Sequence, residues 1–189
     1  TYQFKFSANV SLEDAINEIY ATGLFEYVEP VYIPKATVTP SDTSFGLQIY
    51  FDRVQAAAAW DIQKGDTTVV IAIVDTGMDT DHEDLIDNIA HNYNDPINGS
   101  DDDGDGYVDN FTGWDMVDND NDVNGAQHGT LVGGAASATA DNITGIAGTS
   151  FNCKLLPVKV ADNSGNLLAA TIGVVYAADH GADIINCSY

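Results

Sequence analysis

The sequence predicts an α/β protein whose parallel sheet is covered by helices on both faces and is preceded by a small α+β segment. Three observations support this fold class. Beyond residue 45 the predicted strands are continuous apolar runs, as in sheets that are buried on both faces. They alternate with helical segments, as in βαβ units. Prolines at positions 30, 34 and 40 separate residues 1–36 from residues 37–189, so we expect two domains and one sizeable core.

The first segment is predicted to fold as a strand, a helix and a second strand. Apolar and polar residues alternate over residues 2–6, which is typical of a strand. Ser11 is a good N-cap, and Glu13 and Asp14 give the following helix an acidic first turn. Gly23 ends that helix, and residues 24–33 form an extended run before the linker.

The second segment alternates between predicted helices and predicted strands. Active sites of parallel sheets lie at the carboxyl ends of the strands, so the residue that follows the first strand is the first place to look for chemistry. That residue is Asp75. The predicted helices are residues 54–60, 129–138 and 168–180, and the predicted strands are residues 68–74, 154–160 and 183–187.

The net charge of −23 restricts the possible partners. No Lys or Arg occurs between Lys64 and Lys154, whereas carboxylates crowd residues 75–122. Nucleic acids and anionic membranes both require basic patches, so we expect neither as a partner. Divalent cations are the natural counter-charge, and a solvated acidic surface is the alternative interpretation.

The sequence carries no pattern typical of a membrane or export segment. No apolar stretch approaches the roughly 20 residues that a transmembrane helix needs. The first residues lack the basic and apolar regions of a signal peptide. We therefore expect a soluble chain from which any leader has already been removed.

The two cysteines are predicted to be free, buried thiols. Cys153 begins one apolar run and Cys187 ends another. In neighbouring parallel strands they would lie at opposite ends, separated by about six residues of roughly 3.3 Å each. A disulfide tolerates only about 7 Å between Cα atoms, so no bridge is expected and cysteine usage does not identify a compartment.

Asp75-Thr76-Gly77 follows the first predicted strand, where the backbone has to turn sharply. A carboxylate fixed there can orient a histidine and stabilise the imidazolium that forms. Gly77 permits a steep exit from the strand and a close approach that a side chain would obstruct. The same three residues are also typical of aspartic peptidases, in which two carboxylates share a proton. An aspartate that only caps a turn is a third interpretation.

His128-Gly129-Thr130 opens a helix of small residues and favours the first of these interpretations. The positive end of the helix dipole disfavours imidazolium there, which keeps the ring available as a base. Small residues at positions 133–136 allow the helix to pack closely against the sheet. The remaining histidines, His82, His91 and His180, are interpreted as ordinary polar residues.

These segments resemble the subtilisin-like serine peptidases, and they are nearest to the calcium-rich, thermitase-type branch. The resemblance covers residues 39–189, in the order and spacing of that family. It implies that Asp75 is the orienting acid and His128 the general base of an Asp-His-Ser triad, in a secreted or extracytoplasmic enzyme that hydrolyses polypeptides. Leu131 stands where the family usually has a histidine, which we expect to alter packing and not chemistry. The matching segments are residues 71–77 with Asp79, His82, Asp84 and Leu85, and residues 128–130, 145–148, 158–160, 162–165 and 182–186.

The serine of this triad is not identified within the chain. Gly148-Thr149-Ser150 imitates the nucleophile motif of the family, but Phe151 and Asn152 follow it, and it leads into the start of a strand at the wrong edge of the sheet. The resemblance places the serine and the oxyanion asparagine beyond residues 188–189. We therefore expect an N-terminal half of a catalytic domain that is inactive alone. Either the parent polypeptide continues beyond residue 189, or the missing C-terminal part is a second chain that completes the fold as a partner.

An acidic loop at residues 101–109 predicts a calcium site. Oxygen-bearing residues alternate along it, Gly106 permits a tight turn, and calcium takes about six to eight such oxygens. The loop is not an EF-hand, because the twelfth position is Thr112 and not glutamate, and a flexible acidic loop without an ion is the alternative. The predicted ligands are Asp101, Asp103, Asp105, the Tyr107 carbonyl and Asp109.

The family resemblance implies a second calcium site, at which a loop fastens the start of the mature protein to the body of the fold. A weaker cluster at Asp118, Asp120 and Asp122 either shares an ion or is solvated. The residues implied for the second site are Asp42, Asp84, Thr139, Asn142, Thr144 and Ile146.

The resemblance also implies roles for the N-terminal segment and for the peptide-binding strands. Residues 28–32 resemble the end of the family's inhibitory propeptide, which would act on its own enzyme and be cut near Ala36 or Thr37. An ordinary N-terminal subdomain is the alternative. Relatives hold an extended peptide between two segments by β-augmentation. The corresponding residues here are Gly165, Asn166, Leu167 and Ser188.

Three other classes of protein compete with a serine peptidase. An aspartic peptidase requires an all-β fold and a second Asp-Thr/Ser-Gly, and the sequence offers neither. A zinc peptidase motif at His82-Glu83 fails because Ile86 stands where the second histidine is needed. A non-catalytic calcium-binding or inhibitory module stays open, because a chain without the nucleophile retains only a scaffold, ions and the N-terminal segment.

Overall fold

The computed structural model describes residues 2, 4–7, 9–30 and 38–189. The chain divides into two compact units, Thr1–Ala36 and Thr37–Tyr189. The strands found among the described residues all lie in the second unit.

The first unit contains helix α1 (Leu12–Ala21), which confirms the predicted helix. The Ser11 hydroxyl accepts a hydrogen bond from the Asp14 backbone N–H at 3.0 Å, as expected of an N-cap. The strand predicted over residues 2–6 is wrong for the residues described there, because residues 2 and 4–6 lie in no strand. Instead, the rings of Tyr2 and Phe4 both pack edge-on against the ring of Phe25. The ring centroids are 6.1 Å apart for Tyr2 and Phe25 and 5.5 Å apart for Phe4 and Phe25.

The second extended run, predicted over residues 24–33, is described only up to residue 30. Residues 24–30 form no strand, so this prediction is wrong for that part of the run. Residues 31–33 and the proposed cleavage positions, Ala36 and Thr37, lie outside the described residues.

The second unit is built on a four-stranded sheet in which every described strand pair is parallel. The strands are β1 (Val70–Asp75), β2 (Trp114–Asp115), β3 (Lys154–Lys159) and β4 (Ile184–Asn186). Their order across the sheet is β2-β3-β1-β4, so β1 lies between β3 and β4. The α/β fold class and the three predicted strands are confirmed. The sequence pattern does not predict β2, because two residues are too few to produce a periodic signal.

Three of the four α-helices described in this unit lie at predicted positions. The helix predicted over residues 54–60 begins only at Ala56, because Gln55 adopts a left-handed backbone conformation with φ of 57°, and a further short helix that was not predicted precedes it. The helices are α2 (Tyr50–Arg53), α3 (Ala56–Trp60), α4 (Gln127–Ser137) and α5 (Ala170–Asp179). No helix of the described residues is long and apolar enough to cross a membrane.

The core lies on both faces of the sheet, which explains the unbroken apolar run in β1. Successive side chains of a strand point to opposite faces. Ala72 and Val74 accordingly pack in a cluster with Tyr176 of α5, whereas Ile71 and Ile73 pack in a second cluster that α4 covers. Helices therefore cover both faces of the sheet, as predicted.

The two cysteines are free, as predicted, but only Cys153 is buried. Cys187 is exposed, so the prediction that it is buried is wrong. The reason is its position directly after β4, which pairs only with β1 among the described residues and is therefore an edge strand there. Cys153 precedes the amino end of β3 and Cys187 follows the carboxyl end of β4. The two sulfurs therefore lie at opposite ends of the parallel strands.

Candidate active site

Asp75 is the last residue of β1, and its side chain lies at the carboxyl edge of the sheet. The residue is 1% exposed. Its Oδ1 atom accepts a hydrogen bond from the Thr76 backbone N–H at 2.6 Å and lies 2.8 Å from His128 Nδ1. Its buried Oδ2 atom has no hydrogen-bond partner among the described residues. The carboxylate is therefore held by the end of its own strand and directed at the histidine.

His128 is the second residue of α4 and is 53 positions from Asp75 in the chain. With Nδ1–H donating to the carboxylate, the lone pair of Nε2 is left to accept a proton. The ring is about half exposed, with 53% of its side-chain surface accessible. One ring nitrogen is thus fixed by a buried carboxylate, and the other can be reached from solvent.

Glycines make this close approach possible. Gly77 has φ of 107°, and a Cβ atom there would lie 2.7 Å from the Val123 carbonyl oxygen. A Cβ atom on Gly129, the residue after His128, would overlap the Gly77 carbonyl oxygen. The two segments therefore touch through their backbones, and neither glycine can be replaced without moving the aspartate relative to the histidine.

Ser150 lies near the amino ends of the strands, whereas Asp75 lies at a carboxyl end. Its hydroxyl accepts a hydrogen bond from the Cys153 backbone N–H at 3.1 Å, just before β3 begins. Val70 pairs with Lys154 at this edge and Asp75 with Lys159 at the other. The length of β1, roughly 16 Å, therefore separates Ser150 from Asp75.

A buried ion pair lies one strand away from Asp75, and the sequence analysis did not identify it. Lys159 is in register with Asp75, and its Nζ atom lies 2.6 Å from Asp115 Oδ2 of β2. Burial alone would lower the pKa of Lys159, but the hydrogen bond and charge of Asp115, with the charges of Asp118 and Asp122, hold that pKa above its ordinary value. A basic residue at a strand end in so acidic a chain was the signal that could have revealed it.

The segments proposed to bind substrate lie on either side of β1. Gly165, with φ of 81°, turns the chain after β3, and Leu167 forms an antiparallel bridge back to Ala161. The Asp162 carboxylate accepts hydrogen bonds from the side chain and backbone of Asn166, which lower the pKa of that carboxyl group.

Ser188 follows β4, on the other flank of β1, and its hydroxyl accepts a hydrogen bond from Asn186 Nδ2 at 2.8 Å. Burial, Cys187 and the nearby charge of Asp75 raise the pKa of the adjacent Tyr189 to about 12. This segment therefore lies beside the end of β1, as the parallel pairing of β1 with β4 requires.

The acidic loop brings three of its five predicted ligands together. Ligand atoms of Asp101, Asp103 and Asp105 all lie within 4.8 Å of one another. Asp109 is turned elsewhere, because its Oδ1 atom accepts hydrogen bonds from the Asn98 and Gly99 backbone N–H groups at 2.7 and 2.9 Å. The ring of Tyr107 packs edge-on against Trp114 and Tyr176 and fastens the loop to the core.

Residues that the sequence analysis did not single out hold this loop in place. Asp95 is fully buried and accepts hydrogen bonds from the Asp102 and Asn110 backbone N–H groups at 2.8 and 3.0 Å. Asp105 Oδ2 lies 2.9 Å from Asn110 Nδ2 and 2.8 Å from His180 Nε2. The contact between Asp105 and His180 joins positions 75 residues apart, so spacing along the sequence could not reveal it.

The residues implied for the second calcium site lie together in the fold. Asp84 Oδ1 accepts a hydrogen bond from Asn142 Nδ2 at 3.0 Å, and its Oδ2 accepts one from the Ile146 backbone N–H at 2.9 Å. Asp42 Oδ2 accepts one from the Asp141 backbone N–H at 2.8 Å. Thr139 donates its backbone N–H to the Asp84 carbonyl, and Thr144 donates its own to Asn142 Oδ1.

Two atoms of this group are buried without a hydrogen-bond partner among the described residues, Asp42 Oδ1 and Thr139 Oγ1. Asp42 and Asp84 are only 5% and 3% exposed, and neither forms a salt bridge with any described residue. Buried carboxylates without a counter-charge are unfavourable, so this group of oxygens is suited to a cation.

Comparison with protein families shows a match to the model described as the subtilase family, over residues 66–189. The matched part contains both Asp75 and His128. A solved structure of proteases from Pseudoalteromonas arctica PAMC 21717 superposes with a TM-score of 0.58 at 29% identity, over 80% of this chain and 51% of that one. The parallel sheet and its helices therefore recur in a protease of known structure.

Curated relatives include three serine proteases. The chain is 36% identical to the thermophilic serine proteinase of Bacillus sp. (strain AK1), over 94% of this chain and 40% of that protein. It is 40% identical to thermitase of Thermoactinomyces vulgaris, over 79% of this chain and 47% of that protein. It is 35% identical to the halolysin-like extracellular serine protease Nep of Natrialba magadii, over 97% of this chain and 30% of that protein. The chain thus spans less than half the length of each of these relatives.

Proposed function

The chain belongs to the subtilase family, and on that premise we propose that it provides the acid and the general base of a secreted serine endopeptidase. Asp75 is the acid and His128 the base. The observation that carries this proposal is the 2.8 Å contact between Asp75 Oδ1 and His128 Nδ1. The serine proteases among its relatives support the reaction class, and the extracellular relative supports secretion.

The proposed chemistry follows from the protonation of His128. With its proton on Nδ1, the ring accepts a proton at Nε2 from a serine hydroxyl as the serine oxygen attacks the peptide carbonyl carbon. Asp75 stabilises the resulting imidazolium, which then gives the proton to the departing amine as the peptide C–N bond breaks. Water repeats the cycle and releases the acyl group from the serine.

We place the attacking serine and the oxyanion donors outside these 189 residues. Ser150 is unsuitable because it lies at the opposite edge of the sheet from His128. The chain by itself is therefore expected to be inactive and to depend on further sequence that completes the catalytic domain.

The proposed substrate is an extended polypeptide that is paired with backbone on either side of β1. Gly165, Asn166 and Leu167 supply one side, and Ser188 supplies the other. This arrangement is supported by the positions of β3 and β4 as neighbours of β1. Pairing with an extended peptide in this way gives affinity through main-chain hydrogen bonds.

We propose calcium as the ion of the acidic loop, with Asp101, Asp103 and Asp105 as its carboxylate ligands. The donor set fits a hard cation, because the three carboxylates converge and the sequence has no Lys or Arg between Lys64 and Lys154. The Tyr107 carbonyl is a further proposed ligand, whereas Asp109, whose carboxylate accepts from the Asn98 and Gly99 N–H groups, is left out of the proposed set. When bound, calcium supplies counter-charge and fixes the loop, and it has no part in proton transfer.

We propose a second calcium ion at the group around Asp42 and Asp84. The partnerless buried oxygens of Asp42 and Thr139 support it. The remaining proposed ligands are Asn142, Thr144 and Ile146.

The first unit is proposed to be an inhibitory propeptide segment, on the strength of its resemblance alone.

A fluorophosphonate probe tests the central proposal in the full-length protein. Such probes react with a serine that a histidine has activated. We expect labelling to survive Ser150→Ala and to disappear in His128→Ala. Labelling that is lost in Ser150→Ala, or that persists in His128→Ala, contradicts the proposal. A protein that binds calcium and never reacts with the probe would instead be a non-catalytic calcium-binding module.

A further inference from the structure

The histidine of the proposed pair sits in the first turn of a helix that lacks a cap of its own. The first N–H groups of an α-helix have no partner within the helix, and an oxygen of the N-cap side chain usually accepts from the second or third of them. The N-cap of α4 is Ala126, whose methyl group cannot accept a hydrogen bond. The need for a cap is therefore met from elsewhere in the chain.

Thr76, the residue after Asp75, supplies that acceptor. Its Oγ1 atom accepts a hydrogen bond from the Gly129 backbone N–H, the third of α4, at 3.2 Å. The same hydroxyl donates to the Ala126 carbonyl oxygen at 3.1 Å, and the Thr76 carbonyl oxygen accepts from the Ala126 N–H at 3.2 Å. The residues that flank His128 are thus fastened to the residue that follows Asp75.

Thr130, which belongs to α4, makes a reciprocal contact with the segment that follows Asp75. Its Oγ1 atom accepts a hydrogen bond from the Asp79 backbone N–H at 3.0 Å. Each of the two segments therefore contributes one threonine hydroxyl that bonds to the backbone of the other. Two separate points of attachment fix both the distance and the rotation of α4 relative to the end of β1.

Side-chain packing contributes little at the first turn of α4. Gly125 and Gly129 both lie where a Cβ atom would overlap backbone of the Asp75 segment, at the Thr76 and Gly77 carbonyl oxygens. About half of the His128 side-chain surface is open to solvent, so packing does not confine the ring from outside. Hydrogen bonds therefore set the position of this first turn, whereas Val132 and Ala136 pack against the core further along the helix.

We propose that Thr76 is a positioning residue that caps the histidine helix across the fold and thereby sets the distance between His128 Nδ1 and Asp75 Oδ1. Thr130 reinforces it from the other segment. The proposal rests on the proposed function of the Asp75–His128 pair and adds the residue that maintains it. Thr76 touches neither substrate nor the reacting atoms, so its effect passes through His128.

The test is the His128 Nδ1–H proton, observed by NMR in the full-length protein with 15N-labelled histidine. Thr76→Val keeps the shape and removes the hydroxyl, and we expect this proton to exchange with water roughly threefold to tenfold faster, as for the loss of a hydrogen bond. Thr76→Ser keeps the hydroxyl and is expected to retain the wild-type rate. Wild-type exchange in Thr76→Val overturns the proposal.

Thr149→Val is the matched control, because the Thr149 hydroxyl donates to the Ala135 carbonyl oxygen of α4, far from its first turn, at 2.9 Å. Equal acceleration in this variant overturns the proposal, since it would show a general loosening of α4. If Thr76→Val does not fold, Thr130→Val takes its place with the same expectation and the same contrary outcome. A wild-type protein whose His128 Nδ1–H is unprotected overturns the proposed pair itself, whereas a protected proton that is insensitive to both threonines overturns only the cap.

Discussion

Asp75 serves the proposed reaction through its position and through its charge, and a single substitution can separate the two. Burial and the Thr76 N–H fix the carboxylate, while its charge favours the imidazolium that proton transfer creates. An asparagine at this position retains the shape of the side chain but not its charge. It also offers an N–H in place of an acceptor, which favours the wrong tautomer of His128.

We therefore expect Asp75→Asn to lower kcat of the full-length enzyme by roughly 10⁴-fold, with little change in KM. Steady-state hydrolysis of a chromogenic peptide measures both constants. Asp79→Asn is the matched control, because Asp79 is exposed on the same segment, and it should remain within about twofold of wild type. Equal losses in the two variants would refute the assigned role of Asp75.

The buried pair of Lys159 and Asp115 gives a second prediction at the residue scale. Lys159→Met leaves the Asp115 carboxylate buried without its cation, so the free energy of unfolding should fall by about 3–5 kcal/mol. Urea unfolding measures this change. Lys154→Met, at the exposed end of the same strand, should cost about 1 kcal/mol or less. The double variant Asp115→Asn/Lys159→Met should recover much of the loss, and a double variant no better than Lys159→Met contradicts the pairing.

The same pair predicts the alkaline limit of stability. The pKa of Lys159 is raised in the folded protein, so the folded state holds this proton more tightly than the unfolded chain does. The stabilisation is complete below the unfolded pKa of about 10.4 and is lost as the pH rises through the folded pKa. Wild type should lose stability over that interval, and Lys159→Met should not show this loss.

At the scale of elements, the turn between β1 and the following segment controls how closely α4 can approach. Gly77→Ala places a methyl group 2.7 Å from the Val123 carbonyl oxygen at a backbone φ of 107°. We expect the free energy of unfolding to fall by at least about 2 kcal/mol, from strain and overlap together. Thermal and urea unfolding of the purified variant measure it.

Gly165→Ala is the control for the strain term alone. Gly165 has φ of 81°, but a Cβ atom there meets nothing within 4 Å. Its substitution should cost only about 1 kcal/mol, the contribution of a left-handed backbone. Equal losses at the two glycines would mean that close approach of α4 has no part in stability.

The acidic loop is a second element whose role one substitution can test. Asp101→Asn removes one of the three converging carboxylates, so the calcium affinity of the loop should fall at least about tenfold, as measured by isothermal titration calorimetry. Asp102→Asn removes the same charge at the neighbouring position, outside the converging group, and should change the affinity about threefold or less. Equal losses would mean that general charge, and not coordination, attracts the ion.

How much of this could be predicted from the sequence depends on how local each feature is. β1 and β3 are six-residue strands that are buried except at their first residues, so their apolar runs and the position of Asp75 at the end of β1 could be predicted. The two-residue β2 and the alternating segment at residues 2–6 could not, because pairing depends on a partner strand that local periodicity does not identify. For the same reason the Lys159–Asp115 pair emerges only from the register of the sheet, and the threonine contacts of α4 emerge only from the packing of that helix against the segment after β1.

At the scale of the whole molecule, a net charge of −23 opposes compaction through self-repulsion. Two kinds of counter-ion can relieve this repulsion. Monovalent salt screens all exposed charges alike, with a Debye length of about 10 Å at 0.1 M. A bound divalent cation acts only where oxygens converge, as in the acidic loop and around Asp42 and Asp84.

These two mechanisms predict different responses to calcium and to sodium. If calcium binds at both groups, it should raise the melting temperature at millimolar concentrations by an amount that grows with the logarithm of the calcium concentration, because a ligand present at about 100 times its dissociation constant adds about 2.7 kcal/mol per site. Sodium chloride at matched ionic strength should give a smaller rise, and EGTA should reverse only the calcium effect. Magnesium is a further control, since it accepts only near-ideal octahedral sites and should stabilise less. Equal shifts with calcium and with sodium at matched ionic strength would identify the acidic residues as a solvated surface, and the proposal of specific calcium sites would then be wrong.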